Sequence, residues 1–171
     1  NASKHSITSK GSIMGKAKED KKKNIMIVKE IISEICDILR IQVPQISFNA
    51  PASNFESETM MAQCNADGST IHLRKFDKPT PDLIFSIAHE LRHVWQLKND
   101  KETYFFTYQT IGEIKDIEKY NSQLAEVDAH AFAKIIMVDL FHLTPLFNGL
   151  SDSVKKKIDD RVDVIVSENL F

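Results

Sequence analysis

The segment FSIAHELRHVWQ, residues 85–96, carries two histidines four positions apart, with a glutamate directly after the first. On a helix, His89 and His93 lie one turn apart on the same side, so both imidazoles can bind one metal ion. Glu90 projects beside that pair, where it can accept a proton from a metal-bound water without being a ligand. A chain of this size carries the pattern by chance on the order of one time in a hundred. The spacing therefore predicts a metal site, provided that a third ligand follows downstream.

The helix that would carry these histidines has an apolar face of its own. At about 100° per residue, an arc of about 120° collects the apolar side chains of the segment, namely Leu83, Ile84, Ile87, Leu91, Val94 and Trp95. His89 and His93 fall nearly opposite the centre of that arc. They are therefore not expected to be ordinary core histidines, and the remaining alternative is two surface histidines placed together by coincidence.

A third ligand is offered by QLAEVDAHAFAKIIM, residues 123–137. On a helical wheel one otherwise small and apolar stripe contains a carboxylate; its members are Glu126, Ala129, Ala133, Ile136, Met137 and Leu140, with His130 at the margin. Burying an unpaired carboxylate is costly, so Glu126 needs a partner, and the alanines allow another helix to approach closely. Glu126 stands 33 residues after His93, which is enough to bring two helices side by side. The alternative is a surface glutamate next to an alanine seam.

The segments AHELRHVWQ and AEVDAHAFA resemble the zincin metallopeptidases that use a glutamate as third ligand (gluzincin-like). The nearer resemblance is to small bacterial and phage proteins of the ImmA/IrrE type, and it covers residues 25–141 in outline. It implies that His89, His93 and Glu126 bind Zn²⁺ and that Glu90 is the general base. The implied activity is zinc-dependent hydrolysis of peptide bonds, with one specific protein target. Arg92 is a departure, because it is bulky inside the motif.

The residue that would stabilise the oxyanion is not fixed by the motif. His130, one turn after Glu126, is the preferred choice, since it can point into the site. Tyr104, Tyr108 and Tyr120 lie in or near the segment between the ligand-bearing helices and are alternatives. From the resemblance, the substrate is expected to lie along STIHLRK, residues 69–75, as an added β-strand.

Two further classes of function stay open. Two histidines and a carboxylate also describe non-haem iron oxygenases, but those do not need Glu90, and the chain lacks a jelly-roll strand pattern. The stronger alternative is a catalytically silent zincin-fold module that acts in binding or sensing. The presence of Glu90 favours the enzyme.

The elements that would position these residues begin with a helix near Asn24. Short strands are predicted at QISFN (45–49), TMMAQCN (59–65) and STIHLRK (69–75). The last two are joined by Ala66-Asp67-Gly68, because Asp-Gly readily adopts the backbone angles of a tight turn. The predicted sheet is small and antiparallel.

Three more helices are predicted after the strands. One begins after Thr80, an N-cap residue followed by Pro81 at the first helical position, and runs to about Lys98. Another spans about 122–141, and the last is capped by Ser151. With about four helices and a small antiparallel sheet, the predicted class is α+β, and the resemblance implies a zincin-like fold. The aromatic residues at 104–108 are equally consistent with a cleft wall and with local core.

Composition sets the remaining expectations. The 171 residues carry a formal net charge of -2 and no apolar run of spanning length, so neither a membrane protein nor a nucleic-acid partner is expected. Residues 1–22 are interpreted as a disordered basic tail, with Asn1-Ala2 as a tag remnant, and residues 23–171 as one domain. Cys36 and Cys64 are too few for a disulfide scaffold, which favours a cytoplasmic protein. The expected partner is a protein or peptide substrate, and no oligomeric state is indicated.

Overall fold

The computed structural model of the chain describes residues 5–171, and their side chains from Ile13 onward. It combines helices with one small sheet, which confirms the α+β class at that level. The helices are α1 (His5–Leu39), α2 (Pro81–Phe105), α3 (Ile111–Ile114), α4 (Ile117–Ser122), α5 (Leu124–Phe141) and α6 (Asp152–Glu168). The strands are β1 (Gln45–Ser47), β2 (Ala62–Cys64) and β3 (Thr70–Leu73), and a 3-10 turn covers Ala52–Asn54.

The first helix begins much earlier than Asn24. Residues predicted as a disordered tail form the first half of α1 from His5, while residues 1–4, including Asn1-Ala2, lie outside the described part of the chain. Side chains from Ile13 to Lys23 are exposed, in keeping with a solvated segment. The second half packs through Val28, Ile32, Ile35, Cys36 and Leu39. Once that half is nucleated by packing, lysine, alanine and glutamate extend the helix at little cost.

The sheet is mixed rather than antiparallel, so that part of the prediction is wrong. The strand order is β1-β3-β2, with β2 antiparallel and β1 parallel to β3. Gly68 has φ 72 in the β2–β3 turn, and an added Cβ there would lie 3.2 Å from Leu97 Cδ1 on α2. This turn fixes β2 on one side of β3. The segment between β1 and β2 crosses over the sheet, so β1 pairs with the other edge of β3 and runs parallel to it.

The predicted start of α2 is confirmed. Thr80 Oγ1 accepts a hydrogen bond from Leu83 N at 3.3 Å, and Pro81 follows it in the first turn. The helix runs past Lys98 to Phe105, with a kink at Asp100, where φ is -157 and ψ is 64. Asp100 Oδ1 accepts from Thr103 N at 3.2 Å, so the same residue interrupts one helical piece and caps the next.

The second ligand-bearing helix is shorter than predicted at its start. Gln123 is extended (φ -64, ψ 143) and separates α4 from α5, which therefore begins at Leu124. The cap of α6 is confirmed, because Ser151 Oγ accepts from Val154 N at 3.2 Å. With the two short helices α3 and α4, the described residues form six helices instead of about four.

Helix α2 lies at the centre of the fold and packs against α5, α1 and the sheet, while α6 covers the other side of α5. The predicted core face of α2 is confirmed at five of its six positions, Leu83, Ile84, Ile87, Leu91 and Trp95, and Val94 is half-buried. Because α5 covers the opposite face of α2, that face is also withdrawn from solvent. In residues 5–171 no helix is long and apolar enough to cross a membrane.

Candidate metal centre

Helices α2 and α5 bring three potential ligands together. His89 and His93 stand on successive turns of α2, and Glu126 stands in the first turn of α5. His93 Nε2 lies 2.8 Å from Glu126 Oε2, and His89 Nε2 lies 3.5 Å from Glu126 Oε1. One ligand atom from each residue falls within 4.8 Å of the other two. The three residues predicted as ligands therefore converge on one point.

The atoms at this point suit a cation. The Nε2 atoms of His89 and His93 face each other at 3.1 Å, and both face the Glu126 carboxylate. Glu126 Oε2 makes no hydrogen bond despite its short distance to His93, so that contact is one of charge and not of aligned donor and acceptor. Two imidazole nitrogens and one carboxylate oxygen are the ligand set of a catalytic zinc site with one open position. The residues present thus fit Zn²⁺.

Without an ion, the charges in the centre are carried by His93 and Glu126, which form a buried pair. Burial disfavours a cationic His93, but the adjacent Glu126 carboxylate outweighs it and raises the pKa of His93. For Glu126, burial works against ionisation, and the two histidines hold its pKa well below the usual range. Without an ion, His93 is therefore protonated at pH 7 and paired with ionised Glu126.

This pairing predicts that zinc affinity rises with pH. Zinc needs the neutral lone pair of His93, so binding at pH 7 should release about one proton, and affinity should increase by up to about tenfold per pH unit between pH 6 and 8. Titration calorimetry in two buffers of different ionisation enthalpy measures the released proton. Equal heats in both buffers would contradict the prediction.

Glu90 is fixed beside the ligands by the sheet. Its side chain is 1 % exposed, and Oε2 accepts a hydrogen bond of 2.9 Å from the backbone N–H of Cys64 in β2. Cys64 also presents its thiol here, and burial followed by the charge of Glu90 raises the pKa of that thiol, so without an ion it is a neutral group. The carboxylate predicted as general base is thus held in place without occupying a ligand position.

A cleft passes over the centre in two parts. A cavity of about 310 Å³ opens on the His89 side, with apolar walls from Met60, Phe85 and Ile117. A second cavity of about 310 Å³ opens on the His93 side, and its walls include Gln63 and Lys101. Both are lined by Glu56, Glu90 and Tyr120. A bound chain can therefore extend to either side of the three ligands.

His130 lies at the cleft, but its hydrogen bonding does not suit an oxyanion donor. Its Nδ1 donates to the carbonyl of Glu126 at 2.8 Å, which leaves Nε2 with a lone pair. Burial, followed by the nearby His89, lowers the pKa of His130 to about 4. The ring packs beside Phe85 and Phe147. At neutral pH the ring nitrogen of His130 that remains available, Nε2, is therefore an acceptor and not the donor that the sequence predicted.

Of the three alternative tyrosines, Tyr120 is placed to donate. Tyr108 donates its hydroxyl hydrogen to Tyr120 Oη at 3.2 Å, so the hydrogen of Tyr120 is not used in that contact and is directed toward Glu126 at the centre. Burial, followed by the Glu126 charge, raises the pKa of Tyr120 and keeps the phenol protonated. Tyr104 instead accepts from Arg161 at 2.9 Å and packs on Trp95, away from the cleft. The aromatic residues at 104–108 thus have different surroundings. Phe105 and Tyr108 line the cleft, where Phe105 contacts His93, and Phe106 is 82 % exposed.

The expected strand for substrate is not accessible. β3 lies between β1 and β2, so residues 70–73 have both backbone edges paired. The predicted burial of Ile71 and Leu73 is confirmed. The free edge nearest the centre belongs to β2, which the sequence could not reveal, since strand order depends on how distant segments meet.

A buried polar cluster beneath the centre was missed by the sequence analysis. Arg92, set aside as a bulky departure, is 0 % exposed, and its Nε donates to Asp128 Oδ2 at 2.7 Å. Its guanidinium also covers the Trp95 ring at 3.7 Å. Arg161 from α6 donates to Asp128 Oδ1 at 2.8 Å. The available signal was the position of Arg92 and Asp128 next to predicted ligands in the two motif segments. The sequence did not show that they pair with each other and with Arg161, because the three residues come from three different helices.

None of the protein-family models, curated proteins or solved structures compared with the chain matches it. The three converging side chains, Glu90 and the cleft around them are therefore the features that bear on function.

Proposed function

We propose that the protein is a zinc-dependent metallopeptidase of the zincin type, gluzincin-like in its ligands and closest in its motifs to the ImmA/IrrE-type proteins. The observation that carries the proposal is the convergence of His89, His93 and Glu126, with Glu90 fixed beside them and not among them. A two-histidine, one-carboxylate iron oxygenase has no use for a carboxylate anchored in that way.

Each residue then has a defined task. A zinc ion held by His89, His93 and Glu126 would supply a Lewis acid that lowers the pKa of a bound water toward ~7. Glu90 accepts the proton of the attacking water and passes it to the leaving amine, while the Cys64 N–H keeps its carboxylate oriented. Tyr120 donates to the oxyanion from the cleft wall.

The substrate chain is proposed to lie along β2. Met61 O accepts from Arg74 N, and Asn65 N donates to Thr70 O. The backbone groups of Met61 and Asn65, on either side of β2, therefore point toward β3. In an antiparallel pair the intervening residues point the other way, which places the backbone of Ala62 and Cys64 at the outer edge. The Cys64 N–H there already donates to Glu90, so a peptide would pair with the remaining backbone groups of that edge. Ala62 lines one half of the cleft and Cys64 the other. An extended peptide added there passes over the ligands.

Replacing Tyr120 by phenylalanine should lower kcat by about 10²-fold, the usual cost of one oxyanion donor, with zinc content and KM nearly unchanged. The measurement is steady-state cleavage of a peptide substrate. Tyr104→Phe is the matched control, since that hydroxyl lies away from the cleft. Equal activity of Tyr120→Phe and the wild type would remove Tyr120 from the mechanism.

The proposed function is tested with the wild-type protein and His93→Ala. Metal content is determined after zinc is supplied, and a mixed peptide library is analysed for new termini by mass spectrometry. Zinc at one equivalent, with cleavage that both chelation and His93→Ala abolish, is the expected result. Zinc binding without any cleavage would favour the silent binding module, and a protein that takes up no transition metal would refute the metal centre itself.

A further inference from the structure

A chain of buried hydrogen bonds leads from His93 away from the cleft, into the interface between α2 and α5. His93 Nδ1 lies 2.8 Å from Gln96 Oε1, and Gln96 Nε2 lies 2.8 Å from Asp128 Oδ2. Gln96 Nε2 also donates to the carbonyl of Ala125 at 3.0 Å. Gln96 and Asp128 are both 0 % exposed, so no solvent-facing group shares in these bonds.

The hydrogen-bond partners of Gln96 determine how its side-chain amide is oriented. Asp128 Oδ2 accepts from Arg92 Nε at 2.7 Å and Asp128 Oδ1 accepts from Arg161 Nε at 2.8 Å, so both oxygens of this carboxylate are acceptors. The Asp128 carboxylate and the Ala125 carbonyl are both acceptors, so the NH₂ group of Gln96 must be the end of the amide that faces them. Its amide oxygen therefore faces His93, and Nδ1 of His93 must carry the hydrogen.

We propose that Gln96, held by Asp128, is a positioning residue that fixes the His93 proton on Nδ1 and so directs the Nε2 lone pair at the metal. The inference rests on the proposed zinc centre. It adds that Asp128, in the buried cluster beneath the centre, sets the tautomer of a ligand from two hydrogen bonds away. Ligand histidines need such a partner on the second nitrogen, and here a neutral amide takes that position.

The charge around Gln96 allows a discriminating pair of substitutions. Arg92 and Arg161 contribute two positive charges to the cluster and Asp128 one negative charge. Because these arginines keep Asp128 an acceptor, a glutamic acid at the Gln96 position can stand as the neutral acid and donate its O–H to Asp128 Oδ2 in place of the amide NH₂. Gln96→Glu keeps an oxygen acceptor facing His93 Nδ1, whereas Gln96→Met keeps the shape and removes the acceptor.

A positioning role and a packing role predict opposite orders for these variants. If Gln96 positions His93, Gln96→Met should weaken zinc binding by about 10–100-fold, while Gln96→Glu stays closer to the wild type. If Gln96 only fills space, the nearly isosteric methionine should be the milder change. Zinc dissociation constants from competition with a chromophoric chelator give the order. Asn99→Met, the same kind of change one turn along α2 without contact to a ligand, should bind zinc like the wild type.

Imidazole nitrogen resonances supply a readout that does not depend on catalysis. In the zinc-loaded wild type and Gln96→Glu, long-range ¹⁵N–¹H spectra should show a protonated Nδ1 and a zinc-bound Nε2 for His93. Gln96→Met should show mixed or altered coordination. Tighter zinc binding by Gln96→Met than by Gln96→Glu, or an equal loss in Asn99→Met, would overturn the inference and leave the proposed function standing. A wild type that binds no zinc would overturn both.

Discussion

Glu90→Gln is expected to remove nearly all peptide cleavage while the protein keeps its zinc. A general base contributes about 10²–10⁴-fold to a rate, and glutamine cannot accept the proton. Its side-chain oxygen can still accept from Cys64 N, so the arrangement of α2 against β2 should persist. The measurement combines kcat/KM on a cleaved peptide with zinc content per chain and the thermal unfolding midpoint.

The matched control for this change is Glu102→Gln. Glu102 is exposed on the second piece of α2 and lies outside both halves of the cleft, so it experiences the same chemical substitution without the proposed role. We expect wild-type rates from it. Cleavage by Glu90→Gln within a few-fold of the wild type would mean that another group accepts the proton, and the proposed mechanism would be wrong even if zinc is present.

Arg92→Met is expected to have the largest effect on stability. Removing one partner of a buried ion pair costs about 3–5 kcal/mol in the free energy of unfolding, because the groups left in the interior lose their hydrogen bonds. Here Asp128 keeps Arg161 but loses both of its contacts with Arg92, at 2.7 and 3.2 Å. For a chain of this size the unfolding midpoint should fall by roughly 6–20 °C. Urea unfolding of the zinc-free protein separates this effect from stabilisation by bound metal.

Lys134→Met provides the comparison for that value. Lys134 Nζ lies 2.6 Å from Asp159 Oδ1, but the two side chains are 24 % and 61 % exposed. Pairs of this kind contribute about 0–1 kcal/mol because water and salt screen them. If Arg92→Met cost no more than Lys134→Met, the buried cluster would not be a major source of stability.

Features that depend on neighbouring residues were predictable from the sequence. The start of α2 follows from Thr80 and Pro81, and the convergence of His89 and His93 follows from helical spacing alone. Glu126 was found because a carboxylate in an apolar stripe requires a partner. These inferences needed no knowledge of how distant segments pack.

Features that depend on distant segments were not predictable. The place of β3 between β1 and β2 is decided by a crossover that no local pattern encodes. The burial of Arg92 depends on Asp128, Arg161 and the carbonyl of Leu170, and the last of these is 78 residues away. Some local signals were also overlooked, since Thr110 and Glu113 form a capping box that marks the start of α3.

The bond between Cys64 N and Glu90 gives the proposed enzyme a requirement on the length of its substrate. The strand that would receive the peptide backbone is also the strand that orients the proton acceptor. A peptide long enough to pair with β2 would hold that edge in place as it binds, and so would steady the carboxylate at the same time. A dipeptide spans too little backbone to do this. Chain length should then influence turnover as well as affinity, and an extended or locally unfolded region of a protein would be a better target than a small peptide.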